Sequence, residues 1–269
     1  LNAFYSRALY SASWILHFLE NDSAAEVLRQ RAIDIAKNIR KLCWDERQDL
    51  FLDSYPPNGE GGIVGLHSNV LAMYGALASS DQYERLFDRL LLPEAPHFTL
   101  PTTDLLTPFF GGFLLENAYS LNRRQWAFDF MKDYWGGMLE NGAETWHEYY
   151  NPVLHFKKNF QYSSCHAYGL SPVLYIFSEI LGIRPASPGF EQVIFSPAYE
   201  QLEWAKAVIP TVRGRIKVEW HYSDGTLAVK MRSEFSFELV LGLDDNKQNS
   251  DEWDISSNIR IVSKENLRD

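Results

Sequence analysis

The chain has 269 residues, of which 46% are hydrophobic and 14% aromatic, so it can bury one large core or two smaller ones. Its 35 acidic and 25 basic side chains give a formal net charge of -10, which excludes nucleic acid as a partner because the chain would repel a phosphate backbone. No apolar run reaches the roughly 18 residues of a membrane helix, and Leu1 enters an amphipathic pattern without a signal segment. We therefore expect a globular protein outside the membrane.

The first two thirds of the chain predict helices joined in hairpins. Apolar residues at three-and-four spacing predict a first helix whose apolar face runs from Leu1 to Leu19. A capping box at Ser23 and Glu26 predicts the start of a second, antiparallel helix. Five further patterns of this kind follow, the last ending near Gly182. Seven helices in hairpins predict an α/α toroid or a part of one.

The hydrophobic period changes after Pro188. Apolar and polar residues alternate over 216–220, 227–231 and 235–241, which is typical of strands with one buried face. The Ser223-Asp224-Gly225 sequence between two of these runs predicts a hairpin turn. We therefore predict a helical domain over 1–187 and an antiparallel β domain over 188–269.

The segment GAETWHEYY at 142–150 joins two carboxylates to four aromatic or imidazole rings. Loops on a rigid helical scaffold often carry binding and catalytic groups. Ring faces pack on the apolar side of a pyranose, while a carboxylate takes up a proton or holds hydroxyl groups. Five side chains offer these parts, namely Glu144, Trp146, His147, Glu148 and Tyr149. The alternative is that the rings belong to the core and the glutamates to a solvated rim, and the residues alone leave both interpretations open.

Other polar residues lie where helices are predicted to begin. His166 precedes the last helix, and a histidine there more often caps a helix than binds a ligand. His67 and Asn69 follow a glycine-rich loop, where they can satisfy free backbone groups. Asp104 caps or precedes a helix and is a weak candidate for function.

Neither a metal nor a cofactor is expected. His147 and His155 do not have the spacing of zinc ligands, and the chain contains neither a phosphate-binding loop nor a Gly-x-Ser-x-Gly elbow. Cys43 and Cys165 are far apart, so we expect two buried, unpaired thiols. Two such cysteines do not indicate whether the protein is located in the cytoplasm, in the periplasm or outside the cell.

The order of motifs along the chain resembles the C-terminal part of bacterial α-L-rhamnosidases, glycoside hydrolase family 78. The segments that carry the resemblance cover nearly the whole length, in order LNAFYSRAL, CWDERQDLFLDS, HSNVLAMYGAL, TPFFGGFLLENAYSL, YWGGMLENGAETWHE, SSCHAYGLSPVLYIFSEILGIRP, PGFEQVIFSPAY and WAKAVIPTVRGRIKVEW. The resemblance implies an (α/α)6 barrel, of which only the C-terminal helices are present, followed by an antiparallel β-sandwich.

The resemblance also implies roles for the residues of 142–150. GAETWHE resembles the family's Gly-Ala-Thr-Thr-x-Trp-Glu segment, which makes Glu148 the general base, and Thr145 matches a family threonine. Glu144 stands where a second threonine is usual and is a rival base. The tryptophan falls one position earlier than in the family, so Trp146 and His147 are both assigned to the sugar pocket.

A second segment of the family completes the implied site. CHAY resembles its Cys/Ser-His-x-Trp segment, which makes His166 a substrate-binding residue, with Tyr168 in place of the tryptophan. The family inverts the anomeric centre, using an acid and a base carboxyl roughly 6.5–9.5 Å apart. The family's acid lies upstream of the position matching Leu1, and no segment here matches it.

We therefore expect a fragment of a hydrolase that removes terminal α-L-rhamnose from rhamnosides, with little activity alone. One alternative is a sugar-binding protein without catalysis. Another is a different toroid glycosidase or a polysaccharide lyase, because one fold hosts several chemistries.

Overall fold

The computed structural model describes residues 1–54, 63–90, 106–150, 162–243 and 252–263. These residues form two compact units, Leu1–Gly169 and Leu170–Asp269. The last helix groups with the strands because its Phe177 packs against their hydrophobic core. The assignment of 1–187 to a barrel and 188–269 to a sandwich stays a prediction.

The described residues contain eight α-helical segments, which form seven continuous helices because a π-helical turn joins two of them. Their bounds are Asn2–Phe18 (α1), Asp22–Cys43 (α2), Leu66–Tyr74 (α3), Ser80–Leu90 (α4), Pro108–Ser120 (α5), Arg124–Met131 (α6), Gly137–Glu140 (α7) and Ser171–Tyr175 (α8). A π-helical turn at Lys132–Gly136 joins α6 to α7. A 3-10 turn at Ala167–Leu170 precedes α8, and a π-helical turn at Ile176–Ile180 extends it.

The second helix begins earlier than its predicted capping box. Asn21 is the N-cap, and its side chain accepts a hydrogen bond of 3.3 Å from the Ala24 N–H. Ser23 lies inside the first turn, so the prediction that it caps the helix is wrong. Asn and Ser are equally good caps, and the sequence offered both within three residues.

The predicted apolar face of α1 is largely exposed. The buried residues of this helix are mostly small, namely Ala3, Ser6, Leu9 and Ser13. The buried residues of α2 are also small, namely Ala25, Ala32, Ala36 and Cys43. Small side chains let the two backbones approach closely, so the larger residues of α1 are left on the other side. Periodicity therefore predicted the helix correctly but not the face that packs.

Two buried asparagines fix the helical unit internally. Asn69 on α3 accepts from the Phe51 N–H at 2.6 Å and donates to the Phe51 and Gly65 carbonyls, both at 2.9 Å. Phe51 belongs to a small antiparallel pair, Trp44–Asp45 (β1) and Leu50–Phe51 (β2). Asn117 on α5 donates to the Val70 carbonyl at 3.0 Å. The prediction that Asn69 satisfies backbone groups is confirmed.

The second unit contains two four-stranded sheets. Its strands are Ile183–Pro185 (β3), Gln192–Phe195 (β4), Trp204–Thr211 (β5), Gly214–Ser223 (β6), Thr226–Ser233 (β7), Phe237–Leu241 (β8), Trp253–Ile255 (β9) and Ile259–Val262 (β10). One sheet has the order β10-β8-β4-β3 and the other β5-β6-β7-β9. Inward side chains from both sheets, among them Phe195, Trp220 and Leu239, form a single hydrophobic cluster.

These sheets are mixed, so the prediction of a purely antiparallel domain is wrong in part. The β4–β8, β8–β10 and β7–β9 pairs are parallel, while β3–β4, β5–β6 and β6–β7 are antiparallel. Alternation of period two reports which face of a strand is buried and not the direction of its neighbour. The predicted hairpin is confirmed, because Asp224 and Gly225 both have positive φ between β6 and β7.

No helix in the described part of the chain is long and apolar enough to cross a membrane.

Candidate active site

The segment 142–150 begins where α7 is terminated by a glycine. Gly142 has a φ of +84°, a left-handed conformation that glycine adopts without steric cost. Its N–H donates to the Leu139 carbonyl at 2.9 Å, and the Ala143 N–H donates to the Met138 carbonyl at 3.2 Å. This pair of bonds is a Schellman motif, which ends the helix and directs the chain into the loop.

Glu148 is held by the segment that follows residues 151–161. The Glu148 N–H donates to the Ser163 carbonyl, and the Ser163 N–H donates to Oε2 of Glu148, both at 2.9 Å. The two residues therefore exchange one backbone bond and one bond to the carboxylate. Glu148 is half-buried. Its Oε1 has no hydrogen bond to any described residue, so one carboxylate oxygen is fixed while the other remains available.

Two further links join the same segments. The His166 N–H donates to the Trp146 carbonyl at 2.7 Å, and the Thr145 hydroxyl donates to the Ser164 carbonyl. We refer to residues 145–148 and 163–166 together as the clasp. The clasp brings the segments that carry Trp146, Glu148 and His166 side by side, although residues 151–161 separate them in the sequence.

Glu144 has a different environment. Its side chain is exposed and has no hydrogen-bond or ion-pair partner within the described ranges. Among the described residues, the loop therefore carries one carboxylate that is held by a hydrogen bond and one that is not. A hydrogen bond from a neighbouring residue keeps a carboxylate oxygen in one position. Glu148 has such a bond, whereas Glu144 has none within the described ranges.

Gly169 packs closely against the clasp. A Cβ atom at this position would lie 3.0 Å from the Trp146 Cβ and 3.2 Å from the His147 carbonyl oxygen. The Gly169 carbonyl accepts a 2.9 Å hydrogen bond from the buried Trp135 indole. Neither residue was predicted to have a role, although a glycine at the start of a predicted helix is a signal for close packing.

Aromatic rings flank the site on two sides. Tyr149 and Tyr162 stack with centroids 5.0 Å apart and an interplanar angle of 21°. His166 meets the edge of Tyr168 at 5.3 Å, and Tyr168 lies 5.3 Å from Phe109. Tyr168 is 66% exposed, so its ring is open to a ligand. Of these rings only Tyr149 belongs to 142–150, and it is half-buried, so it is not a fully buried core residue.

Tyr150, the last residue of GAETWHEYY, is part of the core. Its carbonyl and that of Leu106 accept from the Tyr134 hydroxyl at 3.1 and 2.8 Å. Burial raises the pKa of Tyr150 and raises that of Tyr134 well above its ordinary value. Both hydroxyls stay protonated: the Tyr134 hydroxyl is a structural donor, and the Tyr150 hydroxyl accepts a hydrogen bond of 3.2 Å from the Asn141 side-chain amide.

His147 is half-buried beneath the loop. Its backbone N–H points at the Met138 sulfur at 3.4 Å. Burial lowers the pKa of its imidazole below the ordinary value of 6.5, because a charged ring would lose hydration. The ring is therefore neutral at pH 7 and offers one donor and one acceptor nitrogen.

The remaining candidates have other environments. His67 packs against Phe110 with ring centroids 4.1 Å apart. Asp104 and His155 lie outside the described residues. Cys43 is buried as predicted, whereas Cys165 is exposed, because 162–166 is an irregular segment and not the first turn of a helix. No group of metal-binding side chains occurs among the residues that the structure describes.

Residues 182–252 match the family model described as bacterial alpha-L-rhamnosidase C-terminal domain. The family 78 rhamnosidase of Bacillus sp. GL1 superposes with a TM-score of 0.78 at 23% identity, over 97% of this chain and 27% of its own. The Streptomyces avermitilis α-L-rhamnosidase complexed with L-rhamnose gives 0.65 at 20% identity, over 86% and 22%. The Klebsiella oxytoca rhamnosidase with rhamnose bound gives 0.54 at 21% identity, over 65% and 33%.

No curated protein sequence matches the chain significantly. The chain spans a third or less of each of these solved rhamnosidases. The resemblance drawn from the sequence motifs is confirmed: the chain has the fold of a part of the family 78 α-L-rhamnosidases, and its residues 182–252 match their C-terminal domain.

Proposed function

We propose that this chain is the base-carrying part of an inverting α-L-rhamnosidase that removes terminal α-L-rhamnose from glycosides. The observation that carries the proposal is the clasp. Its two segments are those that resemble the family's base and sugar-binding motifs, and hydrogen bonds hold them together. The two solved relatives with rhamnose bound support the choice of sugar.

Glu148 is the general base in this proposal. The Ser163 N–H fixes Oε2, so Oε1 accepts a proton from a water molecule. The oxygen of that water attacks the anomeric carbon from the face opposite the leaving group, which inverts the configuration. Glu144 is the weaker candidate because nothing in the described part of the chain holds its carboxylate in place.

Three side chains shape the sugar pocket in this proposal. Trp146 presents an apolar ring surface to the pyranose. His166 and the neutral His147 exchange hydrogen bonds with sugar hydroxyls.

The general acid comes from a segment outside this chain. In this proposal the helices belong to the C-terminal part of an (α/α)6 barrel and the sheets to the following β-sandwich, and the span of 27% of the Bacillus enzyme supports a partial barrel. Without an acid the reaction loses a factor of roughly 10²–10⁴. We therefore expect little turnover by the chain alone.

The test is hydrolysis of 4-nitrophenyl α-L-rhamnoside by the chain alone and by a longer polypeptide that includes the sequence encoded upstream. In the longer polypeptide, Glu148→Gln should lower kcat by at least about 100-fold, because a general base contributes that much. Glu144→Gln is the matched control and should change kcat less than about threefold, since an exposed, unpartnered side chain contributes little.

The opposite ranking of the two variants would assign the base to Glu144. Rhamnose binding that survives both changes, without turnover by the longer polypeptide, would indicate a sugar-binding protein. Unsaturated products from uronic-acid polymers would indicate a lyase.

A further inference from the structure

The outer face of the β5-β6-β7-β9 sheet carries an unusual arrangement of side chains. Strand register places three rows across β5, β6 and β7: Trp204, His221 and Ala228; Lys206, Glu219 and Lys230; Val208, Lys217 and Arg232. The alternate residues of these strands, such as Ile216, Trp220 and Val229, are buried inward. All the named outward residues therefore share one surface, which we call the outer sheet face.

An aromatic ring stands at one corner of the outer sheet face. Trp204 is 59% exposed, although tryptophan is a residue that folding normally buries. Its ring is nearly parallel to that of His221, with a 20° interplanar angle and centroids 6.2 Å apart. His221 contacts Glu219 at 3.4 Å, so the ring borders directly on a polar cluster.

That polar cluster has an excess of positive charge. Lys206 pairs with Glu219 at 2.8 Å, and Arg232 pairs with Asp254 on β9. Lys217 and Lys230 are exposed and form no ion pair with any described residue. The two lysines are diagonal neighbours on adjacent strands, roughly 7–8 Å apart at their backbones. Glu234 lies near Lys217 and Asp254 near Lys230, but each of these carboxylates pairs with an arginine. Two lysines without an ion pair in the described part of the chain thus lie close together on a chain whose net charge is -10.

We propose that the outer sheet face binds an acidic glycan, a polymer containing uronate sugars. The exposed part of the Trp204 ring packs on the apolar face of one pyranose. Lys217 and Lys230 pair with carboxylates of neighbouring sugars, and the Glu219 carboxylate accepts from sugar hydroxyls. The site lies in the β unit and does not include any residue of the clasp.

The chemistry of the face favours this ligand over other anions. A nucleic acid would meet strong repulsion from the rest of the acidic chain. A neutral glycan would use Trp204 but leave the two lysines without partners. A uronate polymer has both an apolar ring face and regularly spaced carboxylates, so it matches the ring and the cations together.

The test is electrophoresis of the chain through native gels that contain polygalacturonate, neutral dextran or no polymer, followed by titration with oligogalacturonate. Retardation should occur with polygalacturonate and weaken as salt rises. Trp204→Ala and the double variant Lys217→Gln/Lys230→Gln should each weaken binding about tenfold or more. Trp14→Ala, at a tryptophan that is 57% exposed on α1, and Lys37→Gln/Lys132→Gln are the matched controls.

Binding that is unaffected by the outer-face variants, or no retardation at low salt, would overturn the proposal. Equal affinity for double-stranded DNA of the same length would also overturn it, because the face would then be a general polyanion surface. Circular dichroism checks that each variant is folded. The assay needs no hydrolysis, so its failure and the failure of the proposed rhamnosidase activity are separate results.

Discussion

At the scale of single residues, His147 links the site to stability. Burial lowers the pKa of its imidazole, so the unfolded chain takes up a proton at this histidine before the folded chain does. The folded state is therefore at its best above pH 6.5 and loses stability as the pH falls through that value towards the lowered pKa. A protonated His147 would have to lose hydration inside the loop.

We predict that the urea midpoint of the helical unit decreases when the pH is lowered from 7.5 to 5.5. The variant His147→Gln should show a smaller decrease. Glutamine keeps hydrogen-bonding groups and does not titrate, so the contribution of the side chain at position 147 to stability should be nearly independent of pH in this variant. Tryptophan fluorescence during urea unfolding at both pH values gives the two slopes. Parallel slopes for the variant and the parent would show that another group causes the pH dependence.

The candidate site residues, whose roles stay predictions, follow from the sequence, whereas the residues that hold them in place do not. Glu148, Trp146 and His166 were recognisable because their types and their neighbours match motifs with known chemistry. Ser163 was not, because it acts through its backbone N–H and any residue type supplies that group. Gly169 was missed for a related reason: its role depends on which loop packs against it, and that is decided by contacts distant in sequence.

At the scale of elements, the packing of α3 against α1 depends on one glycine. Gly75 ends α3 with a φ of -82°, so alanine could adopt its backbone conformation. A Cβ at this position would lie 2.6 Å from the Ala3 carbonyl oxygen and 2.8 Å from the Ala3 Cα, both atoms of the α1 backbone. Because backbone atoms cannot rotate away, α1 and α3 would have to move apart.

Gly75→Ala should therefore destabilise the protein by roughly 1–3 kcal/mol, the usual effect of overpacking. Gly136→Ala is the control, because a Cβ there meets nothing within 4 Å and the residue has helical φ and ψ. The control should be neutral or stabilising by up to about 1 kcal/mol, since alanine favours a helix over glycine. Thermal unfolding by circular dichroism measures both, and equal effects would contradict the packing argument.

The sequence predicts helices and the hairpin better than it predicts which helix face is buried and which strands pair. The seven helices of the described residues and the Asp224-Gly225 hairpin follow from periodicity and turn chemistry, which act within a few residues. The buried face of α1 and the parallel strand pairs do not, because they depend on segments far away in the chain. Ser6 and Ser13 face inward on α1 although the stripe containing Ile15 and Leu19 is more apolar.

At the scale of the whole molecule, the exposed side of α1 is a large apolar surface. Trp14, Ile15, Phe18 and Leu19 are between 48% and 69% exposed within two turns of helix. Contiguous apolar patches of this kind are uncommon on soluble monomers and bind hydrophobic dyes. The folded chain should therefore enhance the fluorescence of ANS without denaturant.

Replacing Ile15 and Leu19 together by glutamine should reduce this ANS fluorescence by at least about half, because the patch loses its most exposed members. Val212→Gln is the control, since that valine is 90% exposed but isolated in a turn. Dye fluorescence is compared at equal protein concentration after circular dichroism has confirmed folding. An equal decrease in the control, or none in the double variant, would place the dye elsewhere.

The strand order of the second unit also determines when that unit can form during synthesis. β3 and β4 leave the ribosome first and can pair at once, but the other edge of β4 is filled only by β8, after the whole of β5, β6 and β7 has been made. Until then β4 exposes unpaired backbone groups that other chains can bind. β8 in turn gains its second neighbour only from β10, so translation must pass Val262 before both edges of β8 are occupied.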